Sequence, residues 1–228
     1  METPASHKLA IYDMDKTITH APTWMSFLVR TARSEAPWRL ALLPLAGLAT
    51  AAYALKAIDR AQLKQMTQRL LLGHRLHIAD ARRVAGSFAD RVVATGVFAG
   101  ARAQIAADRA AGYRLVMATA SYRFYAAAIA ERLGFDDVVA TEVEHLDEML
   151  RARISGENCY GPGKLRMIEA WMAAQGIDRA DTHVRFYSDH VSDAPVLGWA
   201  DEGFAVNAHG PLRTLARERG WPIVDWER

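Results

Sequence analysis

Residues 9–17 read Leu-Ala-Ile-Tyr-Asp-Met-Asp-Lys-Thr, an apolar run that ends in two carboxylates one residue apart, Asp13 and Asp15. A β-prone run that stops in acid is typical of a central strand in an open parallel sheet, where ligands bind at the strand ends. Side chains at i and i+2 point the same way along an extended chain, so both carboxylates can reach one small volume. Because such close carboxylates repel each other without a cation or a proton, the stretch predicts a divalent metal site. Taken alone, it also fits two turn-forming aspartates after a strand.

The composition is that of an ordinary globular protein. The chain has 228 residues, 51% of them hydrophobic, so it can bury a substantial core. Its 28 basic and 26 acidic residues are mixed along the sequence, and this pattern does not predict nucleic acid as a partner. The single cysteine, Cys159, excludes an intramolecular disulfide and a cysteine-based zinc site. Together with a polar stretch over 1–8 that lacks a signal-peptide core, it indicates a reducing cytoplasm.

From about residue 19 to residue 93 the pattern changes to long helical stretches. Apolar residues recur there at intervals of three and four, which predicts amphipathic helices in a small bundle. These positions are Trp24, Phe27, Leu28, Thr31, Leu63, Met66, Leu70, Val84, Phe88 and Val92. We interpret them as core positions of an inserted unit. The predicted division is a core domain of residues 1–19 and 95–228 and a helical cap domain of residues 20–94.

Beyond residue 95, helices and strands alternate, which predicts a parallel sheet with crossover helices. One strand, predicted over 113–118, ends in Thr119 and is followed by Ser121 and a helix over 123–133. Hydroxyls at a strand end, just ahead of a helix N-terminus, can hold a phosphate together with backbone donors. The same residues also fit a simple helix cap.

A glycine- and proline-rich turn over 158–164 brings Lys164 to the start of a helix predicted over 165–175. A lysine in the first helical turn opposes the helix dipole, so this placement requires compensation. An anionic ligand would provide it. A solvated surface lysine is the alternative.

A second apolar run, over 184–188, ends in Asp189, and Asp193 follows at a predicted helix start. Further strands are predicted over 138–140 and 204–207, in a hairpin over 141–155, and over 221–226, with a helix over 211–219. If the core strands are parallel, their carboxyl ends share one edge of the sheet. The acids, the hydroxyls and the lysine would then meet at that edge. This combination is a far more specific signal than any one of these residues alone.

At these residues the sequence resembles the haloacid dehalogenase superfamily of phosphohydrolases, and within it the phosphoserine-phosphatase-like subfamily, subclass IB. The four ordered motifs match Asp13, Asp15 and Thr17, then Thr119, then Lys164, then Asp189 and Asp193. The resemblance covers nearly the whole chain. It implies an α/β fold, namely a Rossmann-like core with a parallel central sheet and an all-helical cap inserted between the first two motifs. Lys16 and Ser188 stand where the family frequently has glycine, which puts the loop geometry there in doubt.

The resemblance also implies roles for these residues. Asp13 would be the nucleophile that forms an aspartyl-phosphate, and Asp15 the general acid and base. Mg²⁺ would be bound by Asp13, by the backbone carbonyl of Asp15 and by Asp189. Thr119 and Lys164 would bind the phosphoryl oxygens. Asp193 and Thr17 are supporting residues, and Asp193 would hold Lys164 or a metal-bound water.

The substrate expected from the resemblance is a small phosphomonoester such as phosphoserine. Candidate substrate-binding residues are Ser121, Arg123, His20, Thr23, Trp24 and Phe27. Transfer of the phosphoryl group to an acceptor other than water remains open, as does a choice between monomer and homodimer. A different class of function, a phosphate-binding switch without turnover, would be favoured if a catalytic acid were missing, and none is.

Residues 40–55 carry no charge, but their 16 positions fall short of the roughly 20 that span a bilayer and include Pro44 and Gly47. One interpretation is a cap helix buried against its neighbours or against a dimer partner. The other is peripheral contact with the inner face of a membrane. Basic residues that could face anionic headgroups are Arg33, Arg39, Lys56 and Arg60. Some phosphatidylglycerophosphate phosphatases of the subfamily are similar here, so the alternative substrate is a lipid phosphate.

Overall fold

A computed structural model describes residues 7–226 of the chain; the predicted core residues 1–6 and 227–228 lie outside the described part. Within it, one sheet of eight strands has the order β2-β5-β4-β3-β1-β6-β7-β8. The strands are β1 (His7–Tyr12), β2 (Arg75–His77), β3 (Arg114–Tyr122), β4 (Asp137–Leu146), β5 (Met149–Ser155), β6 (Thr182–Ser188), β7 (Glu202–Val206) and β8 (Ile223–Val224).

Nine α-helices surround this sheet in the described part of the chain. They are α1 (Thr23–Glu35), α2 (Leu43–Ala54), α3 (Arg60–Leu71), α4 (Ile78–Thr95), α5 (Ala99–Ala110), α6 (Arg123–Arg132), α7 (Pro162–Ala174), α8 (Ala194–Trp199) and α9 (Gly210–Arg219). Two 3₁₀ helices cover Pro37–Leu42 and Val191–Asp193.

The centre of the sheet is parallel, as the apolar run before the first acids predicts. β1 pairs in parallel with β3 and β6, and Tyr12 lies level with Met117 on one side and Tyr187 on the other. Alternate residues of β1 belong to two separate hydrophobic clusters, with Tyr12 in one and Ile11 in the other. Because both faces are covered by apolar side chains, the strand is a continuous apolar run rather than an alternating one. The predicted α/β fold with a parallel central sheet is confirmed.

Two strands are longer than predicted, and one was missed. β3 continues to Tyr122, with an irregularity between Thr119 and Tyr122, and β4 continues into the predicted hairpin with β5. The insertion is not all-helical, because β2 pairs antiparallel with β5 at the end of the sheet. Three residues are too few for a period of two to be read from the sequence. In the fold they cover an edge strand that would otherwise expose its unpaired backbone groups.

The inserted helices share a hydrophobic cluster with the sheet. Phe27 of α1 and Phe88 of α4 both contact Tyr125 of α6, and the Phe27 and Tyr125 rings stack at 4.6 Å. Of the predicted apolar stripes, most members are buried or half-buried, but Met66 is 39% exposed. The insertion is therefore anchored by aromatic packing. Its separation from the core as a domain of its own remains a prediction.

The uncharged stretch 40–55 forms the end of a 3₁₀ helix and then α2, which tolerates Pro44 because proline fits the first turn of a helix. Only alanines of α2 are buried, whereas Leu45, Leu48 and Leu55 are 48%, 66% and 81% exposed. The interpretation as a helix buried against its neighbours therefore does not hold for these three leucines, whereas Leu40 and Leu43 are half-buried against the hydrophobic cluster. Burial against a dimer partner stays a prediction. Among residues 7–226, no helix is long and apolar enough to cross a membrane.

Candidate active site

A cavity of about 210 Å³ lies at the carboxyl edge of the parallel strands. Its walls include most of the polar residues that the sequence singled out, contributed by the ends of β1, β3 and β6 and by the first turn of α7. These are Asp13, Asp15, Thr119, Lys164, Asp189 and Asp193. The strand ends meet there because the register sets β1, β3 and β6 level with one another.

Lys164 lies between two carboxylates and is 1% exposed. Its Nζ donates to Asp13 Oδ1 at 2.8 Å and to Asp193 Oδ2 at 2.6 Å. Burial by itself would lower the pKa of Lys164, but the two carboxylates outweigh it and hold the pKa above its ordinary value. The lysine is therefore charged at neutral pH. The alternative of a solvated surface lysine is wrong.

Asp13 and Asp189 face the same hydroxyl. Thr17 Oγ1 lies 3.1 Å from Asp13 Oδ2 and 3.4 Å from Asp189 Oδ1, and it accepts the backbone N–H of Asp189 at 3.0 Å. Burial raises the pKa of Asp13 to about 6 even though Lys164 opposes the rise. Burial, and next the charge of Asp13, raises the pKa of Asp189 to about 7. Two carboxylates that resist ionisation side by side are stabilised by a shared cation.

A hard divalent cation fits this donor set. Four carboxylates line the cavity together with the buried Lys164 and two exposed cations, Lys16 and Arg60, and no ion pair to Asp189 is seen among residues 7–226. No group of three or more histidine, cysteine, aspartate or glutamate side chains in the described residues is arranged as a metal site. That result agrees with the expected ligands, since the third is a backbone carbonyl of Asp15. Oxygen donors with room for water are what Mg²⁺ prefers.

Asp193 has one oxygen bound and one without a partner. Its Oδ2 accepts from Lys164 and, at 2.7 Å, from the Ser188 hydroxyl, whereas its buried Oδ1 has no hydrogen-bond partner among the described residues. A buried polar atom in that state favours a ligand or a water in the cavity. Ser188, a departure from the glycine frequent in the family, thus supplies a donor to Asp193.

Asp15 is held on both oxygens. The backbone N–H and hydroxyl of Thr23 donate to Oδ1 at 2.8 and 2.7 Å, and the Ser121 hydroxyl donates to Oδ2 at 2.9 Å. Thr23 and Ser121 are both buried. We predicted these two residues as substrate contacts, but their side chains are bound to Asp15. They fix the direction in which the Asp15 carboxyl points.

Three other predicted substrate contacts lie away from the cavity. Phe27 is in the aromatic core, and the His20 ring packs against Phe98 with its buried Nε2 unpartnered among the described residues. Arg123 pairs with Glu142 beside a different surface cleft. The structure does not bring these three side chains to the cavity wall, because closeness in sequence to a motif does not set which face of the following helix or turn meets the cavity.

The cavity wall also holds residues that the sequence analysis missed. They are Lys16, Pro22, Ala120, Arg60, Tyr160, His190 and Ser192. Lys16 adopts a left-handed backbone conformation with φ of 63°, which explains why glycine is favoured there. Burial, and next the His209 ring stacked on it, lowers the pKa of His190. Lys16, His190 and Ser192 could have been found from their places within the motifs, but nothing in the sequence points to Arg60.

A second cavity, of about 370 Å³, lies between the inserted helices and the sheet edge. It shares Asp15, Pro22, Arg60 and Ala120 with the first, and Trp24, the remaining predicted substrate contact, is in its wall. Lys64 of α3 is also in this wall, with its Nζ donating to the Ala120 carbonyl and to Asn158 Oδ1. Burial, and next Arg60, lowers the pKa of Lys64 to about 7.

Carboxylates, a buried charged lysine and a buried hydroxyl at one edge of a parallel sheet are the features of an α/β enzyme that handles an anionic substrate. The family model of haloacid dehalogenase-like hydrolases matches residues 10–198. The chain therefore belongs to this hydrolase family.

Similar proteins have been described in bacteria. A probable phosphatase of Mycobacterium tuberculosis is 28% identical over 231 residues, which cover 99% of this chain and 77% of that protein. Phosphoserine phosphatase SerB1 of the same species is 32% identical over 137 residues, 60% of this chain but only 44% of that protein. A crystal structure of a Bordetella pertussis protein of unknown function has a TM-score of 0.87 and 27% identity, covering 98% of this chain and 99% of that one.

Proposed function

We propose that the chain is a magnesium-dependent phosphomonoester hydrolase that acts through an aspartyl-phosphate intermediate on a small phosphorylated metabolite. One observation carries the proposal: Asp13 points into the cavity with one oxygen bound to Lys164 and the other beside Asp189 and Thr17. A carboxylate held in this way is oriented for attack on phosphorus. The phosphatase names of two relatives support the same reaction class.

In the first step, an oxygen of Asp13 forms a bond to phosphorus while the bond from phosphorus to the leaving oxygen breaks. Asp15 gives its proton to that oxygen, and the alcohol leaves. In the second step the oxygen of a water molecule forms a bond to phosphorus while the bond from phosphorus to Asp13 breaks, Asp15 takes a proton from that water, and inorganic phosphate and the Asp13 carboxylate are released. Thr119 and Lys164 bind equatorial oxygens of the phosphoryl group. Mg²⁺, held by Asp13, the Asp15 carbonyl and Asp189, would offset the repulsion between the nucleophile and the phosphate. Transfer to an alcohol instead of water uses the same residues, so the products decide between the two.

The test is release of inorganic phosphate from p-nitrophenyl phosphate. Activity should require Mg²⁺, vanish in EDTA and return with excess Mg²⁺, and Asp13→Asn should lower kcat by several orders of magnitude because it removes the nucleophile. The Asp90→Asn variant, an exposed position on α4, is the control. Turnover that survives thorough chelation would rule out the metal, and near-normal turnover by Asp13→Asn would rule out the nucleophile. If the unaltered protein bound phosphate but did not hydrolyse the ester, a non-catalytic phosphate-binding switch would be favoured.

A second candidate is a phosphatase of lipid phosphates at a membrane surface, and the exposed leucines of α2 favour it. Leu45, Leu48 and Leu55 present apolar side chains to the outside, and Lys56 beside them is exposed. Arg39, in contrast, donates to the carbonyls that end α3 and does not project toward a headgroup. Exposed apolar side chains beside a basic residue can bind a membrane surface through apolar contact and attraction to anionic lipids.

Co-sedimentation with anionic vesicles tests this second candidate. We expect the unaltered chain to bind at low salt and Leu48→Asp to bind less. Leu146→Asp, at the end of β4 and 44% exposed, should bind as the unaltered chain does. Circular dichroism checks that both variants are folded. If the unaltered chain stays wholly in the supernatant, the membrane candidate is to be dropped.

A further inference from the structure

The second cavity opens beside the general acid candidate. Asp15 is one of the residues shared between the walls of the two cavities. A phosphoryl group bound beside Asp13, Lys164 and Thr119 would have its leaving oxygen near Asp15, which must protonate it. The alcohol part of the substrate then extends away from the phosphate, toward the second cavity.

Most of the wall of that cavity beyond Asp15 is apolar. Trp24 and Met25 come from α1, Tyr53 from α2 and Leu63 from α3. The volume of about 370 Å³ falls in the range of pockets that hold small ligands. An apolar group that entered would leave water and pack against aromatic and aliphatic side chains.

Several polar side chains in the same wall are already engaged. Trp24 Nε1 donates to Thr67 Oγ1 at 3.1 Å, and Thr67 Oγ1 donates to the Leu63 carbonyl at 2.8 Å. Lys64 is bound to Ala120 and Asn158, as described above. Thr50 Oγ1 donates to a carbonyl of its own helix at 2.9 Å, and Ser121 donates to Asp15. The Tyr53 hydroxyl and the Arg60 guanidinium, which lies over the Tyr160 ring, are the two polar side chains of this wall without a hydrogen bond among residues 7–226. Among those residues the wall therefore offers cations, but no carboxylate of its own beyond Asp15.

In the part of the chain that the structure describes, the second cavity offers cationic side chains, Arg60 and Lys64, but no free carboxylate. Among the described residues, every carboxylate that lines either cavity is one of the four acids of the active site. Asp15 and Asp193 are held by their own partners, and Asp13 and Asp189 face the predicted metal position. None is left to bind a substrate ammonium group. Burying an unpaired ammonium in this cavity would be costly.

We propose that the second cavity is the leaving-group site and that it selects phosphomonoesters of apolar alcohols, with alkyl or aryl chains, over phosphorylated amino acids. This inference rests on the proposed phosphatase function and departs from phosphoserine as the substrate. The chemical feature that the site would recognise is a phosphate monoester attached to a hydrocarbon chain or ring. A soluble alkyl or aryl phosphate and a lipid phosphate both have it.

The test is a series of ethyl, butyl and hexyl phosphates, whose leaving oxygens are chemically alike, with phosphoserine as the polar comparison. We expect kcat/KM to rise about fourfold for each methylene that becomes buried, and phosphoserine to be poorer than hexyl phosphate. Equal or better turnover of phosphoserine, or a flat alkyl series, would overturn the inference alone. Absence of phosphate release from every ester would overturn the proposed function as well.

A matched pair of variants locates the effect. Met25, in the cavity wall, and Met66, outside it, are 38% and 39% exposed. Met25→Gln should flatten the dependence on chain length, because it places an amide against the hydrocarbon, and Met66→Gln should leave the dependence intact. Equal slopes in both variants would overturn the location. Oleoyl lysophosphatidate in phosphatidylcholine vesicles, compared with hexyl phosphate in solution, distinguishes a lipid source from a soluble one.

Discussion

At the scale of the residue, the site depends on hydroxyls that hold carboxylates. Thr17 stands between Asp13 and Asp189, Ser188 binds Asp193, and Thr23 binds Asp15. Each hydroxyl is buried, so its hydrogen bond is not in competition with bulk water. We infer that these hydroxyls position the acids rather than contact the substrate.

The position of Asp15 can be tested through Thr23. Thr23→Val removes one of two donors to Asp15 Oδ1, and we expect kcat to fall about ten- to a hundredfold with little change in KM, because a bond to a charged group is lost. Thr23→Ser keeps the hydroxyl and should retain most of the activity. Thr31→Val, at another buried threonine of α1, is the control for packing. A rise in KM with unchanged kcat would instead indicate a substrate contact.

At the scale of the element, one buried lysine of α3 forms hydrogen bonds to the two chain segments next to Thr119 and Lys164. Lys64 donates to the Ala120 carbonyl, next to Thr119, and to Asn158 in the loop before Lys164. The Thr141 hydroxyl lies within hydrogen-bonding distance of both of those acceptors, at 3.0 and 2.9 Å. The insertion therefore contacts both segments through one polar network. If Lys64 were replaced, the Thr141 hydroxyl would still lie near the Ala120 carbonyl and Asn158 Oδ1.

The burial of Lys64 predicts that the stability of the fold depends on pH. The unfolded chain keeps the Lys64 proton up to the ordinary lysine pKa of 10.5, whereas the folded chain releases it above about 7. Between these values the unfolded state binds more protons, so the cost of burying the Lys64 charge lowers the free energy of unfolding most below about pH 7 and shrinks as pH rises toward 10.5. From pH 7 to pH 9, the unaltered chain should gain up to about 3 kcal/mol relative to Lys64→Met.

Urea unfolding at both pH values measures this difference. Lys56→Met, an exposed lysine after α2, should follow the unaltered chain. If the free energy of unfolding changed equally with pH in the unaltered chain and in Lys64→Met, the prediction would be contradicted. That result would mean that the hydrogen bonds of Lys64 offset the cost of burying its charge.

At the scale of the whole molecule, a buried acid joins α5 to the two central strands. Asp108 has no exposed surface and accepts from Tyr12, from Arg185 at 2.7 Å and from Tyr187 at 2.9 Å. The network lies on one face of the sheet, where Tyr12 and Tyr187 are partners across β1 and β6 and their rings stack at 4.3 Å. It fixes how the helix layer sits on β1 and β6.

Asp108→Ala should lower the free energy of unfolding by about 3–5 kcal/mol, since it leaves two tyrosine hydroxyls and a guanidinium without their shared acceptor. The matched control is Asp90→Ala, which breaks an ion pair to Arg132 whose aspartate side chain is 68% exposed. That surface pair should contribute less than about 1 kcal/mol. Chemical denaturation followed by circular dichroism gives both values. Equal losses in the two variants would contradict the assigned role of Asp108.

The sequence by itself determined the parallel sheet and the residues that meet at its edge. A strand buried on both faces must be apolar, so a polar residue that ends it is conspicuous, and parallel strands bring such ends together wherever they lie in the chain. Asp13, Thr119 and Asp189 could be predicted for that reason.

Only the tertiary structure decided what surrounds these residues. Thr23 holds an acid whereas Phe27, one helical turn later, lies in the core, and Lys64 and Arg60 reach the cavities from an insertion whose periodicity shows only that it is helical. A period of 3.6 identifies a buried face without saying what buries it. The apolar cavity beside Asp15 arises from three helices packed over one sheet edge, and that packing cannot be read from any single stretch of the chain.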